Sequence, residues 1–209
     1  LDSPAQPSTI SGNTSPCEAA TETYSVTFVE DVTYTWVLPS DWTQTGGGTT
    51  NSIIVTVGSE SGNITVTPSN GCGIGIAQTL AVAPTPLPAQ PGAITGLTAP
   101  CEGTSQSYSV TNVAGVTYTW TFPAGWTQTG SGTTNSVTVT VGTENGNITV
   151  TPSNECGNGT AQTLAVIPFT LPAQSGTITG STTPCQESSQ SYSVINVAGV
   201  TYSWTFPAG

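Results

Sequence analysis

The stretch Val32-Thr33-Tyr34-Thr35-Trp36-Val37-Leu38 sets bulky apolar side chains at every second position, with threonine between the first of them. Successive side chains of an extended strand point to opposite faces of a sheet, so Val32, Tyr34, Trp36 and Leu38 share one face, and Thr33 and Thr35 the other. The apolar face is a core row and the threonine face is solvated. The same alternation continues outward: Tyr24 and Val26, Ile53, Val55 and Val57, Ile64 and Val66, and Leu80 and Val82 supply further inward rows, while Thr56, Thr65 and Thr67 point outward. Gly46-Gly47-Gly48, Ser61-Gly62-Asn63 and Ser69-Asn70-Gly71 punctuate the rows as turns. No helical periodicity interrupts the pattern. We therefore expect an all-β unit of seven short strands near 8–11, 23–28, 33–38, 42–46, 52–57, 63–67 and 77–82, packed as a two-sheet, immunoglobulin-like β-sandwich.

That unit recurs without insertion or deletion. Val116, Tyr118, Trp120 and Phe122 repeat the row just described, and Cys17, Cys101 and Cys185, Trp36, Trp120 and Trp204, and Tyr24, Tyr108 and Tyr192 are all spaced by 84 residues, as are Cys72 and Cys156. Pro4-Ala5-Gln6, Pro88-Ala89-Gln90 and Pro172-Ala173-Gln174 open each copy. A period this long exceeds that of most solenoids, and each unit has enough apolar rows for its own core. The expected organisation is a first repeat at 1–87, a second at 88–171, and the N-terminal part of a third at 172–209, which points to a piece of a longer polypeptide.

Composition excludes several classes of partner. Among 209 residues there is no Lys, Arg or His, against eleven acidic residues and a formal net charge of −11. Phosphate backbones are gripped by Lys and Arg, so nucleic acid is not expected as a partner, and anionic lipid would repel the chain. No run approaches the roughly 20 apolar residues of a membrane span, so no membrane insertion is expected in this segment. Without His or Lys the usual bases for a Ser or Cys nucleophile are missing, and no enzymatic activity and no cofactor are expected.

Each full repeat carries two cysteines, with no CxxC and no His to complete a zinc ligand set. Disulfides, and hence an oxidising extracellular compartment, are the natural reading. The expected pairs lie within the repeats, Cys17 with Cys72 and Cys101 with Cys156, leaving Cys185 unpaired. An odd number of strands brings the chain out of a sandwich at the end opposite its entrance, and the junctions 83–88 and 167–172 are rich in proline, which favours extended spacers. The repeats are thus expected to line up as an extended rod.

The runs Pro100-Cys101-Glu102-Gly103, Tyr108-Ser109-Val110, Val113 to Trp120, Gly146 to Thr151 and Cys156-Gly157 resemble the PKD-like and immunoglobulin-like tandem repeats of Bacteroidota secreted surface adhesins, the gliding-motility adhesins of the SprB kind among them. The resemblance implies non-catalytic stalk modules exported by the type IX system to the cell surface at the outer membrane. The chain departs from the better-known PKD pattern, Trp-Asp-Phe-Gly-Asp-Gly, by carrying Trp120-Thr121-Phe122-Pro123-Ala124-Gly125 there, so no cation site is carried over from it.

Few side chains remain as candidates for chemistry. Glu30, Asp31, Asp41 and Asp2 are the acidic groups that a calcium ion would need, but the second copy has Ala114, Gly115 and Gly125 at three of those places, so no metal site is expected. Trp36, Trp120 and Trp204 are expected in the core. Trp42 and Trp126 follow Pro39 and Pro123 at a strand entrance, where they either close one end of the sandwich or stand exposed as a platform for stacking sugars. The function these features favour is a structural stalk of an extracellular adhesin or filament, spacing a distal binding region from the cell. The alternative is a carbohydrate-binding accessory array of a secreted polysaccharide-degrading enzyme. The partners expected are neighbouring repeats of the same chain, with surface glycans or other copies of the protein completing the set.

Overall fold

A computed structural model describes residues 2–207; residues 1, 208 and 209, at the outer limits expected for the first and third repeats, lie outside the described residues. The first repeat contains β1 (Thr21–Ser25), β2 (Thr33–Val37), β3 (Thr43–Gly46), β4 (Ser52–Thr56), β5 (Gly62–Asn70), β6 (Gly73–Ile74) and β7 (Gln78–Val82). The second contains β8 (Ser105–Ser109), β9 (Thr117–Thr121), β10 (Thr127–Gln128), β11 (Ser136–Thr140), β12 (Gly146–Asn154), β13 (Gly157–Asn158) and β14 (Gln162–Val166). Every pairing between these strands is antiparallel. One sheet runs β1-β4-β3, and the other places β5 between β2 and the pair β6 and β7; the second repeat reproduces both sheets. This is the two-sheet arrangement of an immunoglobulin-like sandwich.

The inward rows are those of the alternation. Tyr24, Val26, Tyr34, Ile53, Val55, Val57, Ile64, Val66 and Val82 form one buried cluster with Ile10 and Trp42, and Val32, Trp36, Leu38 and Leu80 pack against it half-buried. The second repeat has its own cluster around Tyr108, Tyr118, Trp120 and Trp126. Among the described residues no polar or charged side chain is buried. Two cores, each drawn from one 84-residue period, follow from a pattern that supplies every repeat with a full set of rows.

Two strands differ from expectation. Residues 8–11 contribute a single bridge, Ser11 to Ser25, instead of a strand, and β5 continues through Pro68 to Asn70, with the short β6 after it. Pro68 is tolerated because it sits where β5 changes neighbours, from β7, whose register ends at Val66 opposite Gln78, to β6, which begins at Ser69 opposite Ile74. No ladder bond is asked of the missing N–H there, while the Pro68 carbonyl accepts from Gly75 N–H at 2.9 Å.

The third repeat keeps only local features of the others. The Thr179 to Ser193 bridge persists, and Tyr192 O–H still donates to Ser181 O at 2.9 Å. Ile178, Tyr192, Trp204 and Phe206, whose counterparts are core residues, lie exposed, so the expectation that Trp204 is buried is corrected. The rows that would cover it, equivalent to β4, β5 and β7, fall beyond residue 209 in the 84-residue register.

Candidate functional site

The nine-residue β5 defines the two ends of a repeat. Gly62 at its start lies opposite Val82, and Asn70 at its finish lies opposite Gly73. The chain enters at the Asn70 end, where Asn70 Nδ2 donates to Asp2 O at 3.0 Å and Gln6 Nε2 to Ala77 O at 2.8 Å. It leaves past Val82 at the other end, where Ala83 N–H donates to Thr14 O and Thr85 N–H to Pro16 O, and Thr85 lies in a parallel bridge with Cys17. Cys17 therefore marks the exit of its repeat and Cys72 the entrance. Eight strand steps at about 3.3 Å set these ends about 26 Å apart, whereas a disulfide needs its Cα atoms within about 7 Å.

This corrects the pairing expected within repeats. Cys17 is bonded to Cys156 of the second repeat, with Cα atoms 5.4 Å apart, and Cys72, Cys101 and Cys185 are free and exposed. The bond closes across the linker. Cys17 flanks Thr85; one residue on, Asn154 Nδ2 donates to Pro86 O at 2.8 Å, and next Leu87 packs on Gly157, where an added Cβ would stand 3.3 Å from Leu87 Cδ2. At Gly159 any Cβ would collide with the Pro88 carbonyl. The turn carrying Cys156 is held by Asn154 itself, whose Oδ1 accepts from Cys156 N–H at 2.9 Å. Linker residues 85–88 thus lie between the exit of one sandwich and the entrance of the next, and the two thiols meet beside them. The Asn-x-Cys-Gly turns at 70–73 and 154–157 carried this signal in the sequence, but spacing alone does not say which end of a sandwich a cysteine occupies.

The remaining candidates do not converge. Asp41 spends its carboxylate on its own loop, accepting from Ser59 N–H, from Ser59 Oγ–H at 2.9 Å and from Glu60 N–H at 3.2 Å. Desolvation pushes its pKa upward, but the Ser59 and Glu60 donors outweigh it and hold the group below its ordinary value of 3.8. Asp31 occupies a left-handed turn at φ 60°, the conformation that Gly115 and Gly199 adopt in the other copies, which accounts for its place without a ligand. Among the described residues no three His, Cys, Asp or Glu side chains gather as a metal site.

Trp42 and Trp126 are 6% and 8% exposed, donate Nε1–H to Glu60 O and Glu144 O at 3.0 Å, and lean on Tyr24 and Tyr108 at ring centroid distances of 6.1 and 6.3 Å. A sugar-stacking platform needs an open ring face, and neither indole offers one. Shallow notches of about 240 and 130 Å³ lie against the opening segments of the two repeats, lined by Pro4, Gln6, Val32 and Tyr34 in the first and by Pro88, Gln90, Val116 and Tyr118 in the second. Among the described residues no helix is long and apolar enough to cross a membrane.

The sequence matches the PKD-like domain family at residues 3–82, 87–166 and 171–209, and the chain belongs to that family. No curated protein matches it. Among solved structures it is similar to the chicken CNTN1 FN1–FN3 domains, with 14% identity over 80% of this chain and 68% of that one at a TM-score of 0.36. Titin domains I67–I69 (12%, 78% and 66%, TM-score 0.41) and a C-terminal 282-residue fragment of intimin in complex with the intimin-binding domain of its translocated receptor (14%, 77% and 64%, TM-score 0.42) are similar in the same degree. Likenesses of this size carry no functional information.

Proposed function

We propose that the chain is part of the shaft of an extracellular surface adhesin or filament, a series of PKD-like sandwiches that holds a distal binding region away from the cell and performs no chemistry of its own. The observation that carries this reading is the Cys17–Cys156 bond, which ties the exit of one sandwich to the entrance of the next. Such a bond serves a chain that must keep its length and direction, and it persists in an oxidising compartment outside the cytosol. Placement at the outer membrane of a gliding bacterium, reached by type IX export, belongs to the same proposal and rests on the sequence resemblance. The carbohydrate-binding alternative loses its anchors with the burial of Trp42 and Trp126.

Small-angle X-ray scattering tests the shaft. A compact chain of this length has a radius of gyration of about 17 Å. The reading predicts a clearly larger value, about 25 Å, with a rod-like cross-section regime. A value near that of the compact chain means that the repeats fold back on each other, and the shaft reading fails.

A further inference from the structure

Cys101 occupies the surroundings of Cys17 moved on by one repeat. Cys17 lies in a parallel bridge with Thr85 and Cys101 in one with Phe169. Glu18 N–H donates to Thr85 O at 3.1 Å, and Glu102 N–H to Phe169 O at 2.9 Å. Thr85 N–H donates to Pro16 O, and Phe169 N–H to Pro100 O, both at 2.8 Å. At the opposite end, Cys72 repeats Cys156: each N–H is capped by the Oδ1 of the asparagine two residues before it at 2.9 Å, and each asparagine Nδ2 holds the incoming chain, Asp2 O for Asn70 and Pro86 O for Asn154. Cys101 and Cys72 are both exposed and free, and in neither case does a partner within the same repeat come within reach.

We propose that the two cysteine positions are the two halves of one repeating junction staple. Cys101 is the half that bonds the Asn-x-Cys-Gly turn of a following PKD-like repeat, and Cys72 is the half that bonds the exit cysteine of a preceding one. Each bond forms as two thiols give up two electrons and two protons to a disulfide-bearing oxidant, which leaves as the dithiol. The exit strand segment does the positioning: it pairs with the Pro-Cys-Glu loop of its own repeat and hands the chain to the next repeat within three residues, so the partner thiol arrives beside the first. No repeat is then closed on itself, and the array is linked by bonds that all cross junctions.

Thiol mapping tests this independently of the shaft reading, because it reports pairing and not shape or role. In the native 209-residue chain under non-denaturing conditions, iodoacetamide is expected to label Cys72, Cys101 and Cys185, and to reach Cys17 and Cys156 only after reduction. The same full chain is then extended past Gly209 with a copy of residues 126–171, which continues the third repeat in register and brings it a second cysteine. Cys101 is expected to lose its labelling and to appear, without reduction, in one peptide with the added cysteine, while Cys72 stays reactive. Continued labelling of Cys101 in the folded extended chain, or a bond between Cys185 and the added cysteine, overturns the proposal. Cys185→Ser in the extended chain removes the competing thiol, and tryptophan fluorescence confirms that the third repeat has folded.

Discussion

Trp42 shows how a single side chain separates two functions. Its indole closes the end of the sandwich over Tyr24 and satisfies its N–H on Glu60 O, so its role is to exclude water from the core. Trp42→Ala, or Trp126→Ala in the second repeat, is expected to lower the stability of its own repeat by about 3–5 kcal/mol, read from urea denaturation, and to change glycan binding not at all. Asp41 carries the pH dependence of the adjacent loop. Its pKa is lowered in the folded state, so its contribution is complete above the ordinary carboxylate value of 3.8 and is lost as pH falls through the depressed folded value. Acid titration of Trp42 fluorescence is expected to show this step in the native protein and to lose it in Asp41→Asn. The second repeat, with Gly125 in the place of Asp41, has no such carboxylate to titrate.

Strands were legible wherever side chains alternate, and harder to read where backbone contacts decide. Tyr24, Val26, Ile53, Val55, Ile64 and Val66 reach the core as the period of two requires, because burial of a whole face leaves no other register open. The extension of β5 past Pro68 was not legible, since proline normally ends a strand, and the gap between β6 and β7 that accommodates it is a tertiary feature. Residues 8–11 read as a strand but pair through Ser11 alone. The junction was half legible: 84-residue spacing and prolines announced a linker, while the end of the sandwich at which each cysteine lies depends on the course of β5. Asn154 ties the turn to the linker in both directions. Asn154→Ala is expected to cost about 1–2 kcal/mol and to raise hydrogen exchange at the Cys156 amide and at the linker amides of Thr85 and Leu87, with the β11 and β12 amides unchanged.

At the scale of the molecule, the consequence of a staple across the junction is mechanical. A bond from Cys17 to Cys156 short-circuits the backbone between them, so tension applied at the two ends of the chain bypasses nearly all of both sandwiches. In the chain-entropy model a closed loop of 139 residues contributes about 5 kcal/mol against unfolding, shared by two repeats rather than held by one. Intramolecular Lys–Asn isopeptide links are not available to a chain without lysine, so under tension this bond carries what the bypassed strand ladders do not. Single-molecule stretching of the 209-residue chain between its ends, before and after a thiol reductant, tests the staple most directly. Before reduction the fully stretched chain is expected to reach no more than about 250 Å, the length of the roughly 70 residues outside the bond, and reduction is expected to release about 500 Å more in all, as the two sandwiches give way in turn. An unreduced chain that stretches to about 350 Å and releases only about 400 Å in all on reduction, as two loops closed within their own repeats would give, would contradict it.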